Sequence, residues 1–322
     1  MTATSVDGLP ADAPFDPALV PISEAATVML VRDATVRDAT VRDATVRDPM
    51  VRDAMLVRDT TVRDAIVGRT GVEGPGVEVF MMRRTTAAVF GPGFYVFPGG
   101  RLDPADRSDE VAAVCTGLDD AVASRRLSVD SGGLAFWVAA IRECFEEAGV
   151  LLAAMSDGRP LQFDDPSTVE RFGGYRHAVH NGTLHLADLC RAEGVVLDLA
   201  DVYYVSHWIT PPGERRRFAA RILVARAPLG QEPLHDDTET IASVWIRPAD
   251  ALTQMVRGEW MLMPPTEHSL RFLARFDSAD AVMTAAASLP RPLAIRPRIR
   301  VDDDGRVHLV MATDPGYDAL PA

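Results

Sequence analysis

Three glutamates and one arginine lie close together in the segment RECFEEAG, near the end of the clearest predicted helix. Glu143 and Glu147 are four residues apart and Glu146 is three from Glu143, so the three carboxylates lie on one helix face. Like charges at this spacing repel each other, and Arg142 alone offsets too little of the charge. Magnesium prefers oxygen ligands and is usually held by a few carboxylates together with substrate phosphates. The spacing therefore predicts a magnesium site.

The helix that carries these acids is predicted over residues 133–152. Its other face carries Phe136, Ala139, Ala140 and Cys144, and an apolar face of this kind suits packing on a sheet. Predicted strands cover the stretches that such a sheet requires, and they are 26–33, 76–84, 202–210, 217–227 and 241–248.

A Gly/Pro-rich segment precedes the helix and supplies the second part of the candidate site. Gly99 and Gly100 allow a close approach of the backbone to another group, because neither carries a side chain. Asp106 follows them, and thirty-five residues (107–141) then separate it from Arg142. Residues 108–127 read as a helix with a serine cap.

Together these motifs resemble the Nudix box. The core of that box, R-E-x-x-E-E-x-G, is R-E-C-F-E-E-A-G here and ends at Gly149. Its upstream half, G-x5-E, is matched from Gly100 with Asp106 in place of the glutamate, and the insertion after Asp106 interrupts the box.

An interrupted box of this kind resembles the peroxisomal coenzyme A diphosphatase branch. The branch motif V-x-F-P-G-G-x-L-D-x-x-D-R-S is matched from Phe97 to Ser108, with Val96 directly before Phe97, and W-I-T-P is matched from Trp208. R-R-F follows at Arg216, and D-D-x-E begins at Asp236, before the V-W-I strand at Val244. The resemblance covers residues 22–276.

The resemblance implies a Nudix α/β/α sandwich, in which a mixed sheet lies between helices and the box forms a loop, a helix and a loop. It implies Mg²⁺ or Mn²⁺ as cofactor, with Glu143 and Glu147 as metal ligands and Glu146 as a shared ligand. Arg142 would hold the carboxylates in place through charge-assisted pairs.

The implied reaction is the attack of water on one phosphorus of a diphosphate linkage. An acid on a later loop, Glu239 or Asp237, would orient that water. Gly99 and Gly100 would let the backbone approach the substrate closely. Arg216 and Arg217, with Arg215, form either a solvated turn or a cationic wall for substrate phosphates.

The substrate implied by the resemblance is a small nucleotide derivative, with coenzyme A or acyl-coenzyme A first. NADH, ADP-ribose and dinucleoside polyphosphates are alternatives, because specificity lies in loops outside the box. A Nudix-fold sensor that binds a nucleotide derivative without cleaving it is the alternative function. The complete core motif favours the enzyme, since a sensor has no need of the metal-binding carboxylates.

Composition limits the partners of the chain. The formal net charge of -13 disfavours non-specific binding to nucleic acid or to an anionic membrane. The three cysteines and the acidic N-terminal segment indicate a reducing compartment and no signal peptide, so the cytoplasm is expected. The oligomeric state stays open, a homodimer included.

A five-residue repeat, V-R-D followed by A-T or a close variant, runs from residue 31. A period of five fits neither a helix nor a strand, so the repeat is predicted to be an expanded, partly disordered surface loop. A pentapeptide-repeat β-helix is the alternative, but so few units would lack stacked neighbours. The predicted organisation is a disordered leader at 1–20, a Nudix domain at 21–276 with a repeat insertion at about 31–65 and helical insertions at about 107–132 and 156–200, and a hairpin and tail at 277–322.

Two other groups of residues have both a functional and a structural interpretation. His177, His180, His185 and Cys190 could bind zinc, although histidines scattered on a helix are more often surface residues. The aromatic residues Trp208, Trp245 and Phe94 are predicted to belong to the core rather than to stack on a base.

Overall fold

The computed structural model describes residues 20–34, 76–86, 91–236 and 239–321. The strands in these ranges are β1 (Ile22–Asp33), β2 (Val77–Arg84), β3 (Tyr95–Val96), β4 (Gly99–Arg101), β5 (Cys115–Thr116), β6 (Ala153–Met155), β7 (Val195–Asp198), β8 (Val202–Ile209), β9 (Arg217–Arg226), β10 (Thr240–Ile246), β11 (Ala294–Ile295), β12 (Arg298–Val301) and β13 (Val307–Val310). The helices are α1 (Asp109–Ala112), α2 (Asp120–Leu127), α3 (Leu134–Ala148), α4 (Pro166–His180), α5 (Leu186–Glu193), α6 (Pro248–Val256), α7 (Pro264–Leu273) and α8 (Ala279–Ser288). Two short 3-10 turns lie at Pro104–Arg107 and Tyr317–Ala319.

A mixed sheet is the centre of the fold, as predicted. Its strand order is β10-β2-β1-β9-β8-β11, with β3 beside β2 and β4 beside β1. The long strand β1 is parallel to β9 and antiparallel to β2 and β4. A three-stranded sheet, β5-β7-β6, and the hairpin β12-β13 complete the strands in the described ranges.

Two hydrophobic cores lie on opposite faces of the sheet, because side chains alternate along a strand. On β1, Val28 and Leu30 belong to the core on the side of α3. Met29 and Val31 belong to the core on the side of α6, α7 and α8. This is the helix–sheet–helix arrangement of the predicted sandwich.

Helix α3 is more deeply buried than its sequence pattern predicted. We expected one apolar face, but buried residues surround the helix, and Trp137, Val138 and Phe145 are buried as completely as Phe136. The helices that precede and follow α3 cover its other side, since Leu127 of α2 and Phe172 of α4 belong to the same core. When a helix is covered on all sides, its sequence lacks the division into an apolar and a polar face that is typical of a surface helix.

The single helix predicted over residues 108–127 is wrong in its middle. Ser108 does cap a helix, because its side chain accepts a hydrogen bond from the Val111 amide at 3.2 Å. That helix is only α1, and the chain then forms β5, in which Cys115 pairs with Leu197 of β7. Helix α2 starts again at Asp120. Pairing with β7, which lies far along the chain, determines that these residues form a strand. A local sequence pattern contains no sign of such long-range pairing.

The ends of the connection between β1 and β2 lie side by side. Asp33 pairs with Val77, and the Ala34 amide donates to the Gly76 carbonyl at 2.7 Å. The first repeat copy begins inside β1, at Val31, and the remaining copies lie outside the described residues. Strands β12 and β13 form the expected C-terminal hairpin, but its turn lies at Asp303 and Asp304, one residue before the predicted position, and the Gly305 amide closes it by donating to the Asp302 carbonyl at 2.9 Å. In the described part of the chain, no helix has the length and apolar character needed to cross a membrane.

Candidate active site

A buried ion pair joins the two halves of the interrupted motif. Asp106, in the 3-10 turn after β4, is 3% exposed and accepts hydrogen bonds from Arg142 Nε at 2.9 Å and Nη2 at 3.0 Å. The Asp106 Oδ2 atom also accepts from the Asp103 amide at 2.7 Å. Arg142 Nη2 donates further to the Arg101 carbonyl at 2.9 Å. The arginine is thereby fixed against the loop that precedes the helix.

The same guanidinium contacts two of the three glutamates. Arg142 Nη1 donates to Glu143 Oε1 at 2.9 Å and to Glu146 Oε1 at 3.1 Å. Burial would lower the pKa of Arg142, but the hydrogen bond to Asp106 and the charges of Glu143 and Glu146 raise it overall. Arg142 therefore stays charged and contacts two of the carboxylates, and its role in holding them for a metal ion remains a prediction.

Glu147 is the most deeply buried acid of the group. Its Oε2 atom accepts a hydrogen bond from the Gly99 amide at 2.9 Å. Burial, and then the charge of Glu143, raise the pKa of Glu147 well above its usual value, against the lowering effect of the Gly99 hydrogen bond. The fold thus brings two carboxylates together in a place where their ionised forms are poorly solvated.

Glu143 lies directly against the glycine pair. A β-carbon on Gly100 would lie 2.5 Å from the Cδ and Oε1 atoms of Glu143. A β-carbon on Gly99 would lie 2.6 Å from the Ala26 carbonyl of β1. Both glycines are therefore required by packing, whereas their predicted contact with substrate remains a prediction. Burial raises the pKa of Glu143 to about 7, although Arg142 acts in the opposite direction.

Arg176 of α4 fixes the end of α3, and no motif or spacing in the sequence pointed to this residue. Its Nε donates to the Glu146 carbonyl at 2.8 Å, and its Nη2 donates to the Glu147 carbonyl at 2.7 Å. These carbonyls have no partner within the helix, and a cation beside them also interacts favourably with the helix dipole. The helical insertion thus holds the acid-bearing turn in place.

Arg84, the last residue of β2, and Glu239 are close enough to Glu147 for their charges to affect its pKa. Their charges act on Glu147 in opposite directions, because Glu239 raises its pKa and Arg84 lowers it. Glu239 is exposed, and its amide donates to Asp236 Oδ2 at 3.1 Å. The fold therefore places Glu239 near the box helix, and its role in orienting water remains a prediction.

The other predicted site residues differ in their positions. Glu146 turns towards Arg142, and its Oε2 atom lies 3.7 Å from His180 Nδ1. Asp237 lies outside the described residues. Arg216 and Arg217 lie at the start of β9, where Arg217 Nε donates to the Thr210 carbonyl at 3.1 Å.

Arg217 is separated from the glutamates along the sheet. It pairs with Ile22, whereas Gly99 pairs with Thr27, five residues further along β1. This separation is about 16 Å at the rise of a strand. Of the three aromatic residues that were assigned to the core, Trp208 is buried, and Trp245 and Phe94 are half-buried.

The residues fit a divalent cation that the substrate helps to hold. Nowhere in the described ranges do three or more His, Cys, Asp or Glu side chains form a ready metal cage. Glu143 and Glu147 instead form a pair in which burial raises the pKa of both carboxyls, and the charge of Glu143 raises the pKa of Glu147 further. One or two carboxylates completed by substrate phosphates is the usual arrangement for Mg²⁺ in proteins.

Comparisons with known proteins agree with this geometry. The family model described as the NUDT19 Nudix domain matches residues 23–273. The chain is 31% identical over 237 residues to the acyl-coenzyme A diphosphatase NUDT19 of Gallus gallus, an alignment that covers 63% of this chain and 62% of that protein. It is 29% identical over 272 residues to the Homo sapiens protein of the same name, covering 73% of this chain and 71% of the relative.

A solved structure supports the fold. The crystal structure of a NUDIX hydrolase from Alicyclobacillus acidocaldarius is similar with a TM-score of 0.59 and 24% identity, and the match covers 84% of this chain and all of that one. The fold, the split motif closed by Asp106 and Arg142, and the family match lead to one assignment: the chain belongs to the Nudix hydrolases, in the family of the NUDT19 Nudix domain.

Proposed function

We propose that this protein hydrolyses a diphosphate linkage in a nucleoside diphosphate derivative and requires Mg²⁺ or Mn²⁺. The observation that carries the proposal is the buried pair of Glu143 and Glu147, fixed by the Gly99 amide and by Arg142. Two carboxylates that repel each other in a buried place lower the stability of the fold. Their presence therefore favours a function in which they bind a cation together with a phosphate substrate.

The glutamates and Arg142 would have different roles in binding the cation. Glu143 and Glu147 would hold the cation, and Glu146 would be a third ligand only after turning away from Arg142. When bound, the cation would neutralise charge on the phosphoryl oxygens. Arg142, tied to Asp106, would keep Glu143 in place, and positioning of this kind is the main source of rate in phosphoryl transfer.

Glu239 would orient the attacking water and accept its proton. The water oxygen would form a bond to one phosphorus while the bond from that phosphorus to the bridging oxygen breaks, giving two phosphate monoesters. Glu239 suits this role because it is exposed, so water can reach it, and because it lies close enough to Glu147 to affect its pKa. Asp237 remains the alternative residue for this role.

Coenzyme A or acyl-coenzyme A is the proposed substrate. The support is that the relatives from Gallus gallus, Homo sapiens and Xenopus laevis all carry the name acyl-coenzyme A diphosphatase. Arg216 and Arg217 would receive the 3'-phosphate of coenzyme A, since Arg presents a fork suited to phosphate. NADH, ADP-ribose and dinucleoside polyphosphates remain the alternatives.

A product screen tests the proposal. Purified protein would be incubated with coenzyme A, acyl-coenzyme A, NADH, ADP-ribose and a dinucleoside polyphosphate, with Mg²⁺, with Mn²⁺ and with excess chelator. Mass spectrometry of the products in ¹⁸O-labelled water would show which bond breaks. We expect metal-dependent cleavage at the diphosphate, with a coenzyme A derivative fastest. Full activity in chelator would contradict the metal role, and tight binding without any cleavage would favour the sensor.

A further inference from the structure

Arg84 is placed on the catalytic face of the sheet by strand alternation. Phe80 and Met82 precede it at two-residue intervals on β2, and both belong to the core on the side of α3. Val79 and Met81 belong to the opposite core, which assigns the neighbouring Arg83 to the other face. Arg84 therefore extends towards the acid-bearing end of α3.

Backbone pairing fixes the position of Arg84. Its amide donates to the Phe94 carbonyl at 2.9 Å, and it pairs with Thr240 of β10. The next residue, Thr85, donates its amide to the Glu239 carbonyl at 2.9 Å. The charges of Arg84 and of the water-orienting candidate Glu239 both act on the buried Glu147, so the guanidinium lies in the neighbourhood of these two acids.

The side chain of Arg84 retains an unused donor. Its Nε atom is buried and has no hydrogen-bond partner among the residues that the structure describes. A buried donor without a partner is costly, and such groups usually have a ligand or a functional role. Arg142, in contrast, uses all three of its nitrogens on protein acceptors. Arg84 is thus a cation at the site whose Nε–H group can still donate a hydrogen bond to a ligand.

We infer that Arg84 binds the phosphoryl group under attack, by donating hydrogen bonds to its non-bridging oxygens. The ligand class is a diphosphate diester of the kind named under the proposed function, on which this inference rests. The guanidinium fork matches two phosphate oxygens at once, and each good charge-assisted pair strengthens as charge develops on those oxygens. Arg84 would then act on the substrate itself, in contrast to Arg142, which acts through the glutamates.

A binding comparison tests the inference without catalysis. Calorimetry would measure the affinity of α,β-methylene-ADP, which cannot be cleaved at the bridge, for the wild type, Arg84→Ala and Arg84→Lys, with Mg²⁺ and with chelator. Arg83→Ala is the matched control, because Arg83 is the adjacent arginine on the opposite face and its Nε is also buried without a described partner. Adenosine serves as the ligand without phosphate.

We expect Arg84→Ala to weaken analogue binding about tenfold to a hundredfold, the effect of one lost charge-assisted contact. Arg84→Lys should retain part of the affinity, since it keeps the charge and loses the fork. Arg83→Ala should bind like the wild type, and adenosine affinity should be equal in all variants. Thermal melts would confirm that the variants fold, and Arg84→Lys carries the comparison if Arg84→Ala does not.

Two results would overturn the inference. One is unchanged analogue affinity in Arg84→Ala together with a shifted pH profile of kcat/KM, because Arg84 would then only balance the charge of the glutamates. The other is equal weakening in Arg83→Ala. Failure of the proposed function is a separate result, in which the wild type binds the analogue and cleaves no member of the substrate panel.

Discussion

Arg142 and Asp106 are thirty-six residues apart in the sequence and are joined by two hydrogen bonds of 2.9 and 3.0 Å. Between them the chain forms α1, β5 and α2, and then the first half of α3. The pair therefore holds the loop that carries Asp106 against helix α3, across the inserted segment. In an uninterrupted box, the short spacing between the two halves of the motif keeps the loop beside the helix.

Asp106→Asn should impair both stability and turnover. The variant removes a buried negative charge and leaves Arg142 with the repelling glutamates as its acidic partners. Breaking a buried pair from one side costs about 3 to 5 kcal/mol in free energy of unfolding. Urea unfolding and kcat would measure the two effects. Asp130→Asn, at an exposed position in the same insertion, is the control, and equal behaviour of the two variants would contradict the role of the pair.

Glu147→Gln should lower turnover by several orders of magnitude while the metal-free protein keeps or gains stability. Glutamine retains an oxygen for the Gly99 amide, and it removes a buried charge whose ionised form the fold disfavours. Turnover and thermal unfolding at pH 7.5 would be compared with Glu170→Gln, an exposed glutamate on α4. A variant that retains most of its turnover would show that Glu147 is not a ligand.

Stability of the metal-free protein should fall as the pH rises from about 4.5 to about 7. Burial raises the pKa of Glu143 from 4.5 to about 7, so in this window the folded state binds more protons than the unfolded state. The slope of unfolding free energy against pH is then negative in this window, and Glu147, whose pKa burial also raises, contributes a slope of the same sign. Urea unfolding at a series of pH values in chelator would measure it.

Glu143→Gln is the variant that checks the source of that slope, because it removes the titrating group and should make the profile flatter. Saturating Mg²⁺ should stabilise the wild type most at high pH, where the carboxylates are ionised and the ion binds only the folded state. A profile that is the same in the variant would assign the slope to other groups.

The 3'-phosphate should distinguish coenzyme A from 3'-dephospho-coenzyme A, which we expect to be the poorer substrate. A protein of net charge -13 must meet an added phosphate with local cations. Arg216→Ala or Arg217→Ala should reduce the difference in kcat/KM between coenzyme A and 3'-dephospho-coenzyme A by roughly one to two decades, which corresponds to about 1.5 to 3 kcal/mol. Equal kcat/KM for both substrates in the wild type would reject this role and move NADH or ADP-ribose forward.

Deletion of residues 36–60 should leave the catalytic core folded. The deleted segment connects β1 to β2, whose ends already pair through Asp33 and Val77. Shortening a connection whose ends are close changes closure entropy slowly. Circular dichroism and a cooperative thermal melt would test this, and an insoluble or non-cooperative product would show that the repeat is structural.

The sequence predicted the parts of the fold that depend on local patterns. The apolar runs of β1 and β2 and the glycine that ends α3 are local signals, although β1 already begins at Ile22 and α3 ends at Ala148, before the predicted end at residue 152. The three-stranded sheet was not predicted, because β5 and β6 have two and three residues and exist through pairing with β7. Helix α8 was also missed.

For the site, the motif located the acids but not the residues that hold them. Arg176 binds two carbonyls from a helix in the insertion, and Arg84 reaches the site from a neighbouring strand. Contacts of this kind depend on how elements pack, so spacing along the chain does not reveal them. The signal that could have suggested Arg84 is a charged pair at the end of an apolar strand, where the chain meets the edge of the core.

The hydrogen bond between Ala34 and Gly76 has a consequence for inheritance. Each repeat copy is a whole number of codons, so slippage during DNA replication changes the copy number without shifting the reading frame. The added or lost residues enter between two points that the sheet holds together, far in sequence from the acids of α3. Populations of this gene should therefore tolerate alleles of different repeat length, and the connection would serve as a place to insert a reporter domain.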